Sequence, residues 1–219
     1  MNRFFNMESP IFVFLSRMAD LMILNVVFLI TCIPIVTIGA AWSSLYYVTL
    51  KMVRNEESYI VRSYFKSFKQ NFKQSTLMWI IVLILGFLLY MDLRIMTVME
   101  SSAGSNVIRI GIYMLGLVGI FVLQYLFPLV AKFFNSTKNM FRNAFLMAIR
   151  HLPQTVVMAV ISAGSVIITF LNGWTLTYGL LIWIMIGFAL VAMANSWFLV
   201  RIFDKYIPEE EDQTSDITE

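Results

Sequence analysis

Residues 152–200 read LPQTVVMAVISAGSVIITFLNGWTLTYGLLIWIMIGFALVAMANSWFLV, and none of these 49 residues is Asp, Glu, Lys or Arg. As one α-helix the stretch would be roughly 74 Å long, more than twice the ~30 Å hydrocarbon core of a bilayer. It must therefore fold back on itself. Because Asn172-Gly173 is a pair typical of turns, we predict two membrane spans, at residues 156–171 and 174–200.

The overall composition agrees with a membrane protein. The 219 residues are 59% hydrophobic and only 13% charged, and the mean hydropathy is +0.78. Soluble domains carry about 25% charged residues, so a soluble enzyme is disfavoured. One cysteine and one histidine supply neither an intramolecular disulfide nor the ligands of a zinc site. We expect no metal and no cofactor.

Three further apolar stretches predict spans at residues 21–38, 75–99 and 107–131. Pro34 and Gly39 interrupt the first of these regions, which favours a break followed by an interfacial helix up to residue 50. Residues 101–106 have the composition of a turn. We predict an all-α polytopic transmembrane helical bundle of about five spans over residues 1–208. An acidic, disordered cytoplasmic tail follows at residues 209–219.

Lysine and arginine indicate the orientation, because cytoplasmic loops retain positive charge. Ten of the 16 lysine and arginine residues lie in two connectors. One connector joins spans one and two, and the other joins spans three and four. We place both connectors and the carboxyl terminus inside, and the amino terminus outside. Alternatively, residues 9–50 form a tight hairpin turning at Cys32-Ile33-Pro34, which gives six spans and an inside amino terminus.

The first basic connector has the pattern of an amphipathic helix. At 100° per residue, an aromatic face lies about 100° away from a cationic face. The aromatic face suits the headgroup boundary of an anionic inner leaflet, and the cations suit lipid phosphates or a partner protein. Nucleic acid is disfavoured, because no recognised fold surrounds these residues. The candidate contact residues are Arg62, Phe65, Lys66, Phe68, Lys69, Phe72 and Lys73.

The second connector repeats this pattern with Lys138 and Arg142 beside phenylalanines at helical spacing. An offset of 80 residues pairs Phe65 with Phe145 and Gln74 with Gln154. A parallel internal repeat, as found in some transporters, is one interpretation. The alternative is that any helical bundle with basic cytoplasmic loops shows the same order of spans and basic connectors without an internal repeat.

Residues that could carry chemistry are few. Asn25, Gln124, Asn172 and Asn195 lie in or beside the spans, where amides pack against neighbouring helices or bind solutes. No nucleophile motif and no phosphate-binding loop is present in the sequence. We therefore predict that the protein is not an enzyme.

Two segments carry a resemblance to a known family. They are CIPIVTIGAAWSSLYY at residues 32–47 and YFKSFKQNFKQ at residues 64–74. The chain resembles the YesL-like family of small bacterial multi-pass membrane proteins over nearly its whole length. The resemblance implies a bacterial cytoplasmic membrane protein, encoded near carbohydrate ABC-transporter components and polysaccharide-degrading enzymes. It supplies no catalytic residues.

Two functional hypotheses follow. In the first, the protein is a non-enzymatic accessory or regulatory component of carbohydrate uptake that contacts the membrane subunits of an ABC transporter through its basic connectors. In the second, the protein is itself a small solute transporter. The broken-helix element at Pro34 and Gly39 would then form part of the binding site.

Overall fold

The structure is a computed structural model, and it describes residues 10–56, 59–98 and 103–206. Every regular element in these ranges is helical, which confirms the all-α prediction. The α-helices are α1 (Pro10–Cys32), α2 (Ile38–Val53), α3 (Ile60–Val98), α4 (Ala103–Lys132), α5 (Thr137–Arg150), α6 (Leu152–Thr169), α7 (Gly173–Ile182) and α8 (Phe188–Phe203). A π-helical segment, Trp183–Gly187, joins α7 to α8.

Five helical stretches are long and apolar enough to cross a membrane, and they correspond to the five apolar stretches predicted from the sequence. They are Ile11–Cys32, Ile60–Met96, Asn106–Lys132, Leu152–Thr169 and Gly173–Tyr206. The first begins ten residues earlier than predicted and ends before Pro34. Asn172 caps α7 through a capping box with Thr175, so the turn predicted there is confirmed. The turn predicted at residues 101–106 is already helical from Ala103.

Helices α1 and α2 form an antiparallel hairpin. A 3₁₀ turn, Ile35–Thr37, connects them, and Pro34 begins that turn. The Arg17 guanidinium near the start of α1 donates to the Asn55 side chain just beyond α2. The start of α1 therefore lies at the same end of the bundle as the first basic connector. The prediction that placed the entry of the first span opposite the basic connectors is wrong. The backbone follows the hairpin alternative, in which the 16-residue α2 is a sixth pass through the bundle.

Helix α2 lies in the interior of the bundle, so the prediction of an interfacial helix is also wrong. Eleven of its 16 residues are buried. Its hydroxyl groups suggested a position at the membrane interface, but they find hydrogen-bond partners inside the protein. Ser44 donates to Ala40 O at 2.7 Å, and Thr49 shares a 2.8 Å hydrogen bond with Ser196. Small hydroxyl side chains with local partners pack closely between helices at little cost.

The predicted basic connector and the second span are one continuous helix, α3, of 39 residues. At about 1.5 Å per residue it is roughly 58 Å long. Gln74 on α3 donates to Asn135 O, between α4 and α5, at 2.7 Å. Both basic connectors therefore lie at one end of the bundle, as predicted. We call this the basic end. The acidic tail, residues 209–219, lies outside the described residues.

Candidate functional site

A cavity of about 300 Å³ lies among α2, α3, α4, α6, the π-helical segment and α8. We call it the central cavity. Aromatic rings form most of its wall: Trp42, Tyr46, Trp79, Phe127, Trp183 and Phe188. Gln124 and Ser162 are its polar lining residues, and no charged side chain of the described residues lines it. Such a cavity suits a small, uncharged ligand with an apolar face.

Two amides from different helices meet at the edge of the central cavity. Asn195 on α8 donates from Nδ2 to Ser162 Oγ at 2.9 Å and, more weakly, to Gln124 Oε1 at 3.5 Å. Asn195 is only 1% exposed, yet its Oδ1 has no hydrogen-bond partner among the described residues. A buried acceptor without a donor costs about 1–3 kcal/mol. Asn195 does not line the cavity itself, and its contacts with Gln124 and Ser162 connect it to the cavity wall.

The π-helical segment is held in place by two side chains. Asn25 donates to Trp183 O at 3.0 Å and to Ile184 O at 2.8 Å, and it accepts from Ala189 N at 3.0 Å. A π turn disturbs the regular backbone ladder, and Asn25 provides the missing partners. The Trp183 indole donates to Thr169 Oγ1 at 2.9 Å. Asn25 thus has the packing role and does not reach the cavity as a free amide.

The aromatic and cationic faces predicted on the first half of α3 lie at the surface of the basic end. Phe68 is the exception, because it is half-buried and stacks on Tyr64 with ring centroids 6.2 Å apart. The remaining predicted contact residues are exposed: Arg62, Phe65, Lys66, Lys69, Phe72 and Lys73. The two faces are therefore available to lipid or to a partner.

A third face of the same helix was not predicted. Ser67, Asn71 and Ser75 are buried there. Ser75 donates to Ser43 Oγ on α2 at 3.0 Å. The spacing of four residues between these small polar side chains was visible in the sequence, and it marks the contact with α2.

Helix α5 provides the second predicted surface. Ser136 caps its amino-terminal end by accepting from Asn139 N. Lys138 and Arg142 are exposed, as expected. Three exposed apolar side chains lie further along the helix: Phe145, Leu146 and Ile149. The basic end therefore presents cations and apolar groups on both α3 and α5.

The predicted broken-helix element lies at the tip of the α1–α2 hairpin. Trp79 on α3 donates from Nε1 to Ile35 O at 2.8 Å, which ties the tip to α3. A Cβ atom added at Gly39 would lie 2.5 Å from Ser75 O and 2.6 Å from Trp79 Cβ. Because Trp79 also lines the central cavity, Gly39 helps to set the position of one cavity wall.

Among the described residues, no group of three or more His, Cys, Asp or Glu side chains is close enough to hold a metal ion. His151, between α5 and α6, bonds through Nε2 to the Tyr206 hydroxyl at 2.9 Å. Desolvation, assisted by the positive charges of Lys205 and Arg150, lowers the pKa of His151. His151 thus links the segment that follows α8 to the start of α6.

Residues 21–93 match the family described as "Protein of unknown function, DUF624". This is the family to which YesL-like proteins belong. The match spans 73 of the 219 residues, from α1 through most of α3. No curated protein and no solved structure matches the chain.

The central cavity is the part of the site that sequence reasoning did not find. Gln124 and Asn195 were recognised as polar residues in spans, but they are 71 positions apart. Nothing in the periodicity of either helix places them together. The aromatic wall is similarly assembled from four separate helices and the π-helical segment.

Proposed function

We propose that this protein is a non-enzymatic accessory component of carbohydrate uptake in the bacterial cytoplasmic membrane, as its resemblance to YesL-like proteins implies. Its carboxyl terminus and basic end would face the cytoplasm. The observation that carries the proposal is the exposed pairing of cations with aromatic and aliphatic groups on α3 and α5. The partner would be a membrane subunit of a sugar ABC transporter.

Charge and surface chemistry support this partner. The cations on α3 and α5 project from helices that are fixed to the bundle by buried faces, so the surface is ordered before a partner binds. A partner with an acidic cytoplasmic surface would be attracted by these cations. Exposed Phe145 and Leu146 would supply apolar contact area within the charged rim.

Co-purification in mild detergent tests the proposal. The tagged protein should retain the membrane subunits of a carbohydrate ABC transporter encoded near its gene. The double variant Lys69→Glu/Arg142→Glu should reduce that retention at least tenfold, because it reverses charge on both helices. The control variant, Asp92→Lys/Arg94→Glu, reverses two charges outside the basic end without changing the net charge and should retain the subunits fully. Absence of these subunits from the wild-type preparation would refute the proposal.

A second candidate function, that of a small solute transporter, is favoured by the central cavity. The aromatic wall is a feature of a ligand site. Behind the polar lining residues Gln124 and Ser162 lies the buried amide of Asn195, which contacts both of them and whose Oδ1 has no donor among the described residues. Trp79, which lines the cavity, donates to Ile35 O in the broken segment and packs against Gly39, and this connection supports the transporter hypothesis.

Uptake into proteoliposomes distinguishes the two functions. A transporter of neutral sugars should take up radiolabelled glucose or maltose without added partner, and Asn195→Leu should abolish that uptake. The control variant Asn139→Leu removes an amide at the exposed start of α5 and should leave uptake unchanged. If the wild type shows no uptake of either sugar while still retaining the ABC subunits, the accessory function stands and sugar transport is rejected.

A further inference from the structure

A second cavity, of about 380 Å³, opens at the basic end between α2, α3 and the end of α4. We call it the lysine pocket. Three lysines line it, each from a different helix: Lys51, Lys66 and Lys132. Neighbouring positions on the same helices supply polar side chains, among them Gln70 and the buried Asn71. The pocket therefore gathers positive charge from elements that are distant in sequence.

Two further charged residues, Arg54 and Glu56, also line the pocket, and they compensate each other in part. Arg54 forms ion pairs with Asp204 and, at 3.9 Å, with Glu56. Lys51 Nζ lies 5.0 Å from the centre of the Tyr47 ring. No ion pair of the three lysines occurs among the described residues. Three like charges around one pocket repel one another, and an anion in the pocket would relieve that repulsion.

The remaining wall of the lysine pocket is apolar. Tyr47, Leu50, Ala131 and Phe134 contribute to it, and Phe134 is 81% exposed. A phosphate group could accept hydrogen bonds from the ammonium groups and from the Gln70 amide, while an attached glycerol and acyl chain would lie on the apolar wall. Basic pockets between helices at the cytoplasmic side are suited to anionic headgroups.

We propose that the lysine pocket binds the phosphate group of one anionic phospholipid, with the acyl chains leaving along Phe134. This site does not depend on the proposed partner or on the central cavity. It differs from general attraction to an anionic surface, because binding should saturate at one lipid per protein. Exposed cations on the same helix, such as Lys69 and Lys73, should not contribute to it.

The test uses delipidated protein in a neutral detergent. Phosphatidylglycerol should raise the thermal midpoint in a saturable way, and native mass spectrometry should show one retained lipid. Phosphatidylcholine at the same concentration should do neither. The triple variant Lys51→Gln/Lys66→Gln/Lys132→Gln should weaken binding of phosphatidylglycerol at least tenfold. The matched triple variant Lys69→Gln/Lys73→Gln/Lys138→Gln, which loses equal charge outside the pocket, should bind normally.

Other outcomes separate the occupants and overturn the proposal. Equal loss of binding in both triple variants would mean diffuse surface attraction and would refute a discrete site. If inorganic phosphate alone gives the full thermal shift and displaces the lipid, the pocket takes a free anion and the lipid assignment is wrong. If the pocket triple variant does not fold, Lys132→Gln alone should weaken binding at least threefold. Wild-type protein without a one-to-one lipid adduct would also refute the proposal.

Discussion

The two halves of α3 differ sharply, although they belong to one helix. Residues 60–79 bury a stripe of small and polar side chains against α2, including Ser67 and Ser75. Residues 80–96 bury none, and Leu83, Leu85 and Leu88 are all exposed. Lipid is as apolar as leucine, so hydrophobicity does not bring helices together inside a membrane. Close contact instead requires small side chains and hydrogen bonds, and the first half of α3 has both.

Cysteine labelling gives the largest expected contrast, since the result at each position is all or none. In a Cys32→Ala background, Ser16→Cys and Lys138→Cys should react with an impermeant maleimide only after the cells are opened. Trp174→Cys, at the exposed start of α7, should react in intact cells. Labelling of Ser16→Cys together with Trp174→Cys in intact cells would contradict the α1–α2 hairpin.

Adding bulk at Gly39 should break the contact made by the first half of α3. Gly39→Val places new atoms against Ser75 O and Trp79 Cβ, and overpacking of this kind costs about 1–3 kcal/mol or more. Thermal unfolding in detergent should show a loss of several degrees. The matched variant Gly86→Val lies in the second half of α3, where nothing is within 4 Å of an added Cβ. It should unfold within about 1 °C of the wild type, and an equal loss in both variants would contradict this account.

Removing the Asn25 amide should have a somewhat smaller effect. Asn25→Ala leaves two carbonyls and one N–H near the π-helical segment without their partner, at a cost of about 1–3 kcal/mol. The thermal midpoint should fall, and tryptophan emission should shift because Trp183 loses its support. Val26→Ala is the control. Val26 is the next residue in α1 and is about half exposed, so its truncation should change the midpoint little. An unchanged midpoint in Asn25→Ala would show that water or lipid replaces the amide.

The smallest effect concerns His151 and pH. Its pKa is lowered in the folded protein, so the folded state binds a proton less readily than the unfolded chain does. This contribution to stability is complete above the ordinary pKa of about 6.5 and is lost as the pH falls through the folded value. Between pH 7.5 and pH 5.5 the wild type should lose on the order of 1 °C more than His151→Gln. Identical pH profiles would assign the dependence to other groups.

The sequence was sufficient for the five long apolar helices and for the clustering of both basic connectors, because hydropathy and charge indicate directly which segments face lipid and which face water. The sequence did not show that α2 lies in the interior of the bundle. Ser43, Ser44 and Tyr46 suggest an interface when they are taken one at a time, but their hydroxyls are satisfied or enclosed by other helices. The central cavity was also unpredictable, since the meeting of Gln124 with Asn195 depends on the crossing of distant helices.

The π-helical segment Trp183–Gly187 has a consequence for how the fifth span could change. A π turn holds one more residue than the α-helical ladder requires, so it sets the rotational phase of α8 relative to α7. Deleting one residue there would turn all of α8 by about 100° if α7 stayed in place. Asn195 would then lose its contacts with Ser162 and Gln124, and Ser196 would lose its hydrogen bond with Thr49. The one extra residue of the π turn thus lets Trp183 contact Thr169 on α6 while Ser196, further along, contacts Thr49 on α2.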